Sequence, residues 1–159
     1  MNREALQQHL KQHVFFSQLD ADYHYLDFFL DCAESLTLDD NHVLFRYGNT
    51  ADEFYLLING RVTVEVASLE GPPLELQDLG PDTILGWSWL IPPYRWHFQA
   101  RTIEPTEVIR FDGKAIRERC ETDPRFGYEL LKQFSGLMSE RLGIARQKMM
   151  QEWVPPGFA

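Results

Sequence analysis

Residues 85–101, LGWSWLIPPYRWHFQAR, carry the densest set of side chains able to recognise a small molecule. Gly86 opens the stretch, and Trp87, Trp89 and Trp96 are three of the four tryptophans in the chain. Ser88, Leu90, Arg95 and His97 lie among them. Indole faces stack on flat or apolar groups, and a guanidinium beside the free amides of a glycine turn holds an anion. Gly86, Trp87, Ser88, Trp89, Leu90, Arg95, Trp96 and His97 are therefore the candidate ligand-binding residues. Pro92 and Pro93 fix φ and remove ladder donors, so the middle of the stretch is a loop. Two other uses fit the same composition. The rings could fill a pocket and leave no cavity, or the stiffened loop could dock a protein partner, since Trp, Tyr and Arg dominate interface hot spots.

Catalytic chemistry finds little support. His97 has no second His or Cys at chelating spacing, so no metal site is expected. The H-x-H pair of a cupin-type metal barrel is missing, as are G-x-S-x-G, a Walker loop and H-E-x-x-H. Ser88 has only His97 as a candidate base. A small β-barrel enzyme would lack the groups that do the work, and the chain is expected not to be an enzyme.

The elements that position this stretch follow from periodicity. Residues 2–13 form an amphipathic helix with Leu6 and Leu10 at i, i+4, followed by the apolar anchor Val14, Phe15 and Phe16. A second helix is expected over 21–32, capped by Asp20, with Tyr25, Leu26, Phe29 and Leu30 inward. Strands are expected at 36–38, 43–46, 54–58, 62–67, 74–79, 98–103 and 108–111, separated by Gly, Pro, Asn and Asp. Asn59-Gly60 is the strongest hairpin signal, and Gly71-Pro72-Pro73 reads as an exposed hairpin tip. Val62, Val64 and Val66 share one strand face; Arg61 and Glu65 lie opposite, and Arg101 and Arg110 are placed toward solvent. A short helix over 114–120 precedes a long one that starts at Asp123-Pro124, ends near Gln151 and is stopped by the prolines that follow. The fold class is mainly β with flanking helices: an antiparallel sandwich or barrel over 36–112, between N-terminal helices (1–35) and C-terminal helices (113–152).

The long helix carries two neighbouring apolar stripes. One is Phe126, Leu130, Leu137 and Ile144; the other, Leu131, Phe134, Met138, Leu142, Ala145 and Met149, is heptad-like. The first would cover the parent domain and the second would meet a copy, giving a parallel homodimer; the alternative is one wide stripe packed on the parent domain. Arg141, Arg146 and Lys148 complement the negative end of the helix dipole and are assigned a structural role.

With 159 residues, 44% of them hydrophobic, the chain suits one domain with a full core. Its net charge of -9 disfavours nucleic acid and anionic membrane surfaces. Cys32 and Cys120 match no metal spacing and suit reduced thiols. The polar N-terminus has no signal-peptide apolar region, and no run is long enough to span a bilayer. A cytoplasmic location is expected.

One segment is diagnostic. VLFRYGNTADEFYLLINGRV, residues 43–62, places Gly48, Ala51, Phe54, Tyr55, Gly60 and Val62 in the pattern G-x-x-A-x-x-F/Y-Y followed by an apolar run and G-x-V. It resembles the opening of the cyclic-nucleotide-binding domain family, in particular its Crp-Fnr-like sensor domains, and the order of flanking elements agrees over about 14–151. The resemblance implies an eight-stranded β-roll whose long C-terminal helix forms the dimer interface. It also implies a phosphate-binding cassette of the form G-E-apolar-small-apolar, a loop, then R-S/T-A. In this chain Gly86, Ser88, Leu90 and Arg95 match that cassette, whereas Trp87 stands for the Glu, Trp96 for the Ser or Thr and His97 for the Ala. A lost carboxylate contact to the ribose hydroxyl costs about 1.5–3 kcal/mol, so weak or absent binding of cyclic AMP and cyclic GMP is expected. The family's transcription factors carry a winged helix-turn-helix after the long helix, for which residues 153–159 leave no room. The implied protein is a stand-alone regulatory sensor for a cyclic nucleotide or another small-molecule ligand, with a protein-interaction module as the alternative.

Overall fold

The computed structural model describes residues 1–23, 25–68 and 70–152, with the side chains of 20–23 and 152 set aside. The prolines expected to stop the long helix lie outside the described residues. Three helices open the chain: α1 (Arg3–Gln12), α2 (Val14–Tyr23) and α3 (Leu26–Asp31). Asn2 caps α1 by accepting from the Ala5 amide at 2.9 Å, and Leu6 and Leu10 are its buried face. The helix expected over 21–32 is instead two pieces, and Asp20 falls inside α2 rather than at a cap. The reason is apolar demand. Phe15, Phe16 and Leu19 are buried, as are Leu26, Phe29 and Leu30, and the chain breaks between the two groups.

Eight strands follow: β1 (Ala33–Leu38), β2 (Val43–Phe45), β3 (Glu53–Asn59), β4 (Val62–Val66), β5 (Leu74–Leu79), β6 (Ile84–Leu85), β7 (Gln99–Thr102) and β8 (Thr106–Asp112). They form two four-stranded antiparallel sheets, ordered β1-β8-β3-β6 and β2-β7-β4-β5. The β-roll expected from the sequence is therefore present, with β6, a two-residue strand paired to Tyr55 and Leu56, as the one addition.

The Asn59-Gly60 signal does not make a hairpin. Here β3 and β4 belong to different sheets, and the turn carries the chain around the corner between them. Gly60 has φ +92°, and a Cβ there would lie 2.7 Å from the Thr106 backbone, so glycine is required by conformation and by space. The exposed Gly71-Pro72-Pro73 segment does join a true hairpin, β4–β5.

Two helices complete the chain, α4 (Gly113–Thr122) and α5 (Pro124–Glu152). Asp112 caps α4 through the Ala115 amide, and Asp123 accepts from the Phe126 amide at the start of α5. The first half of α5 is buried through Phe126, Leu130 and Phe134, while Leu131, Leu142, Ile144, Met149 and Met150 are exposed. The apolar residues thus divide along the length of the helix as well as between its faces: Phe134 belongs to the parent core, and Ile144 does not. Cys32 and Cys120 are free half-buried thiols, pushed up to about 11 mainly by desolvation.

Glu65, on the strand face opposite the valines, is buried. Its side chain is only 3% exposed and accepts from Arg101 Nε and Nη2, each at 3.1 Å, and from Gln99 at 2.8 Å. Arg101 accordingly lies over the outer face of β4 rather than out in solvent. The Arg101 bonds hold the Glu65 carboxyl below its ordinary value. The pair's contribution to stability is complete above the unfolded carboxylate pKa of about 4.3 and is lost as pH falls through the lower folded value. Replacing Arg101 with Met leaves Glu65 with Gln99 as its remaining donor and should cost about 1.5–3 kcal/mol by urea unfolding at pH 7. The stability difference between the native chain and Glu65→Gln should shrink steadily below about pH 4.

Candidate functional site

A cavity of about 510 Å³ lies between the end of β6, the outer strand β5 and the second half of α5. Its floor is Leu85, Gly86, Trp87 and Ser88, its back wall is Trp96 with Phe45 and Val64, and its mouth includes His97 and Phe98. On the other side, Leu74 to Gln77 of β5 line it, and α5 supplies Met138, Arg141, Leu142, Ala145, Lys148 and Met149 as a roof.

Gly86 sets the floor. Its φ is +101°, and a Cβ would sit 2.8 Å from the Trp96 ring. The Trp96 ring stacks on Phe45 at 3.7 Å with 9° between planes, which closes the inner end of the cavity. After Gly86 the chain makes a tight turn in which Leu90 N–H donates to Trp87 O, and Trp89 is driven into the core. Trp89 is fully buried. Its ring stacks on Phe54 at 5.0 Å, meets Phe134 of α5 edge-on at 5.3 Å, and donates from Nε1 to Gly86 O at 3.2 Å. Gly113 makes the space, since a Cβ there would lie 2.9 Å from the indole.

The proline loop is tied down at its back. Ala51 N–H donates to Tyr94 O and Trp96 N–H to Asn49 O, and Gly48 N–H donates to Trp96 O. The Pro92–Pro93 peptide is cis and Tyr94 has φ +58°. From α4, Arg117 donates to Trp89 O at 2.5 Å, pairs with Asp52 at 3.2 Å and lies 4.1 Å over the Tyr94 ring.

The eight candidate residues therefore separate. Gly86, Trp87, Ser88, Trp96 and His97 line the cavity. Trp89 and Leu90 pack into the core, and Arg95 turns away to donate to Gly48 O at 3.0 Å from an exposed position. The cation that faces the cavity from a buried position is Arg141, assigned above to the helix dipole. Its residue is 7% exposed, it donates to Ile84 O, and its guanidinium lies 5.4 Å over the Trp87 ring. Burial pulls its pKa down to about 10. The sequence held a weak signal for it: Met138, Arg141, Leu142 and Ala145 share a helical face. Among the described residues no group of three His, Cys, Asp or Glu side chains could hold a metal. A second groove of about 700 Å³ runs between α5, His13–Phe15 and β5; Arg141 and Lys148 line both spaces, and Ile84 lines the second.

The family model described as cyclic nucleotide-binding domain matches residues 36–123. No curated protein gives a significant match. Among solved structures, a protein from Geobacter metallireducens assigned as cyclic nucleotide-binding is similar at TM-score 0.75 and 25% identity, over 89% of this chain and 98% of that one. The sensor domain of the transcriptional regulator DNR from Pseudomonas aeruginosa is similar at TM-score 0.69 and 23% identity, over 89% of this chain and 93% of that domain. Against the longer DNR structure the TM-score is 0.71 at 23% identity, covering 92% of this chain and 64% of that one.

The two indoles that flank Ser88 should behave differently when truncated. Trp89→Ala removes a fully buried ring and should cost about 3–5 kcal/mol in urea unfolding. Trp87→Ala, at the half-buried cavity floor, should cost about 1 kcal/mol or less.

Proposed function

Because the chain belongs to the cyclic nucleotide-binding domain family, we propose that it is a non-catalytic regulatory sensor whose small-molecule ligand occupies the cavity between the Gly86 turn and α5. The observation that carries this reading is the shared lining: one cavity is floored by the cassette and roofed by Met138, Arg141, Leu142 and Ala145 of the long helix. A ligand that touches both would bind one helix position better than another, and that difference is what shifts a conformational equilibrium. The cavity volume falls within the range of sites for drug-sized ligands. Family membership and the likeness to a transcriptional regulator's sensor domain support a regulatory role. The protein-docking alternative fits less well, because Trp96 is buried and Trp87 forms the floor of a cavity instead of standing exposed.

The same cavity argues against the family's usual ligand. By the cassette resemblance Trp87 replaces the carboxylate that would accept from the ribose hydroxyl; Arg95 is turned toward Gly48, and Trp96 fills the inner end. Calorimetric titration with cyclic AMP, cyclic GMP and cyclic di-GMP should give no saturable binding below about 100 µM, a loss in line with a missing charged hydrogen bond. Micromolar binding of any of them would return the reading to a nucleotide sensor. Compounds that raise the melting temperature in a small-molecule screen should slow amide exchange in 138–149. Hits that leave that segment unchanged would count against coupling through α5.

The active unit we propose is a single cytoplasmic domain that pairs through α5. No helix among the described residues is long and apolar enough to cross a membrane. Leu131, Leu142 and Met149 of the heptad-like stripe are exposed on the isolated chain, as a pairing face requires. Sedimentation at micromolar concentration should report a dimer, and Leu131→Glu should convert it to a monomer without loss of helix content. A native monomer would remove the dimer from the proposal.

A further inference from the structure

Arg141 is held at a cost that its own contacts do not repay. A guanidinium has five N–H donors and stays charged, and burying one without a carboxylate is expensive. Arg141 is more than nine-tenths buried, yet its only protein acceptor among the described residues is Ile84 O, beside the face of Trp87. The neighbouring Glu140 attracts the guanidinium at long range, but it is exposed and outside ion-pair distance, so burial still outweighs it. The guanidinium also lines the 510 Å³ cavity, whose surface is otherwise dominated by Trp87, Trp96, Phe45, Leu85 and Met138. The other charged lining groups, Lys148 and Glu75, are exposed and opposite in sign, so they leave the interior positive.

We infer that the ligand of this cavity is a flat, apolar organic anion, a carboxylate or sulfonate on an aromatic body, with its anionic oxygens on Arg141 and its rings beside Trp87 and Trp96. This rests on the sensor reading above and deepens it. The pairing follows from chemistry: the planar fork of Arg matches a two-oxygen anion, and charge-assisted bonds in an apolar cavity are strong. An apolar body of matching size satisfies the rest of the lining, which offers few hydrogen-bonding groups. Because Arg141 belongs to α5 and the indoles to the roll, such a ligand bridges the two parts whose separation would be regulated. Arg141 is then a ligand-binding residue, and Arg95 of the cassette a structural one.

The test uses two fluorescent probes with the same ring system, 8-anilinonaphthalene-1-sulfonate and the uncharged N-phenyl-1-naphthylamine. Both should bind the native chain saturably, one per chain, and Ala145→Trp, which fills the cavity from α5, should abolish both. Arg141→Gln, which keeps a donor for Ile84 O, should weaken the sulfonate by about tenfold or more and the amine by less than about threefold. Arg141→Lys should fall between. Without probe, the melting temperature of Arg141→Gln should stay level or rise, because a buried unpaired charge has been removed. Equal weakening of both probes, or none for the sulfonate, would overturn the anion assignment while the sensor reading stands. A fall in melting temperature of more than about 6 °C would make Arg141 a structural residue and overturn it likewise. If neither probe binds, or Ala145→Trp changes nothing, the cavity takes no ligand and both readings fail.

Discussion

The insertion of Trp89 into the aromatic core fixes the geometry on which the site depends. Its ring lies against Phe54 of β3 and Phe134 of α5, and Phe54 in turn stacks on Phe111 of β8 at 4.6 Å. One indole thus joins the cassette turn, the central sheet and the long helix in a single packed layer. Two glycines make this packing sterically feasible. Gly113 lets the ring approach the start of α4, and Gly86 lets the preceding turn bend while the Trp96 ring lies against it. Dispersion and burial hold the arrangement, so it tolerates little change in volume. The cavity is what remains above that layer, where α5 leaves the core.

Three arginines serve the cassette and the cavity in different ways. Arg117 ties the backs of the turn and the proline loop to α4 through Trp89 O and the Tyr94 ring. Arg95 ties the same loop to the β2–β3 connection through Gly48 O. Arg141 alone faces the cavity from a buried position. With two cations holding the loop, the buried cation left at the cavity lies on the helix side. A ligand read by α5 is better placed to move α5 than one read only by the roll, since its affinity then depends directly on where the helix lies.

The helix itself is built for two environments. Its first half closes the domain through Phe126, Leu130 and Phe134, a stripe spaced by four residues, which keeps one face against the roll. Beyond Met138 it passes over the cavity, and Leu142, Ile144, Met149 and Met150 stay largely exposed even where they line its rim or the neighbouring groove. A segment with few buried contacts is the least stable part of a fold and the one most easily shifted by a ligand or a partner.

The sequence by itself determined the class of fold and most of its elements, because those signals are local. Alternation, Gly-Pro-Asn-Asp punctuation and the helical spacing of 124–151 placed seven of the eight strands and the long helix, and the 43–62 pattern pointed to the family. Its strongest local signals failed where a neighbour in space overruled them. Asn59-Gly60 turns a corner between sheets because the Thr106 backbone lies against it, and β6 is too short for any periodicity. Glu65 is buried because Arg101 and Gln99, thirty-odd residues away, cover it with hydrogen bonds. In the site the sequence supplied the cassette and five of its lining residues. Tertiary structure decided which rings became core and which became wall, and it turned Arg95 to Gly48 O while bringing Arg141 to the cavity. The rotation and height of α5 over the roll made that choice. They are set by the packing of Phe134 on Trp89 and Phe54, and no spacing along one segment encodes the distance to another.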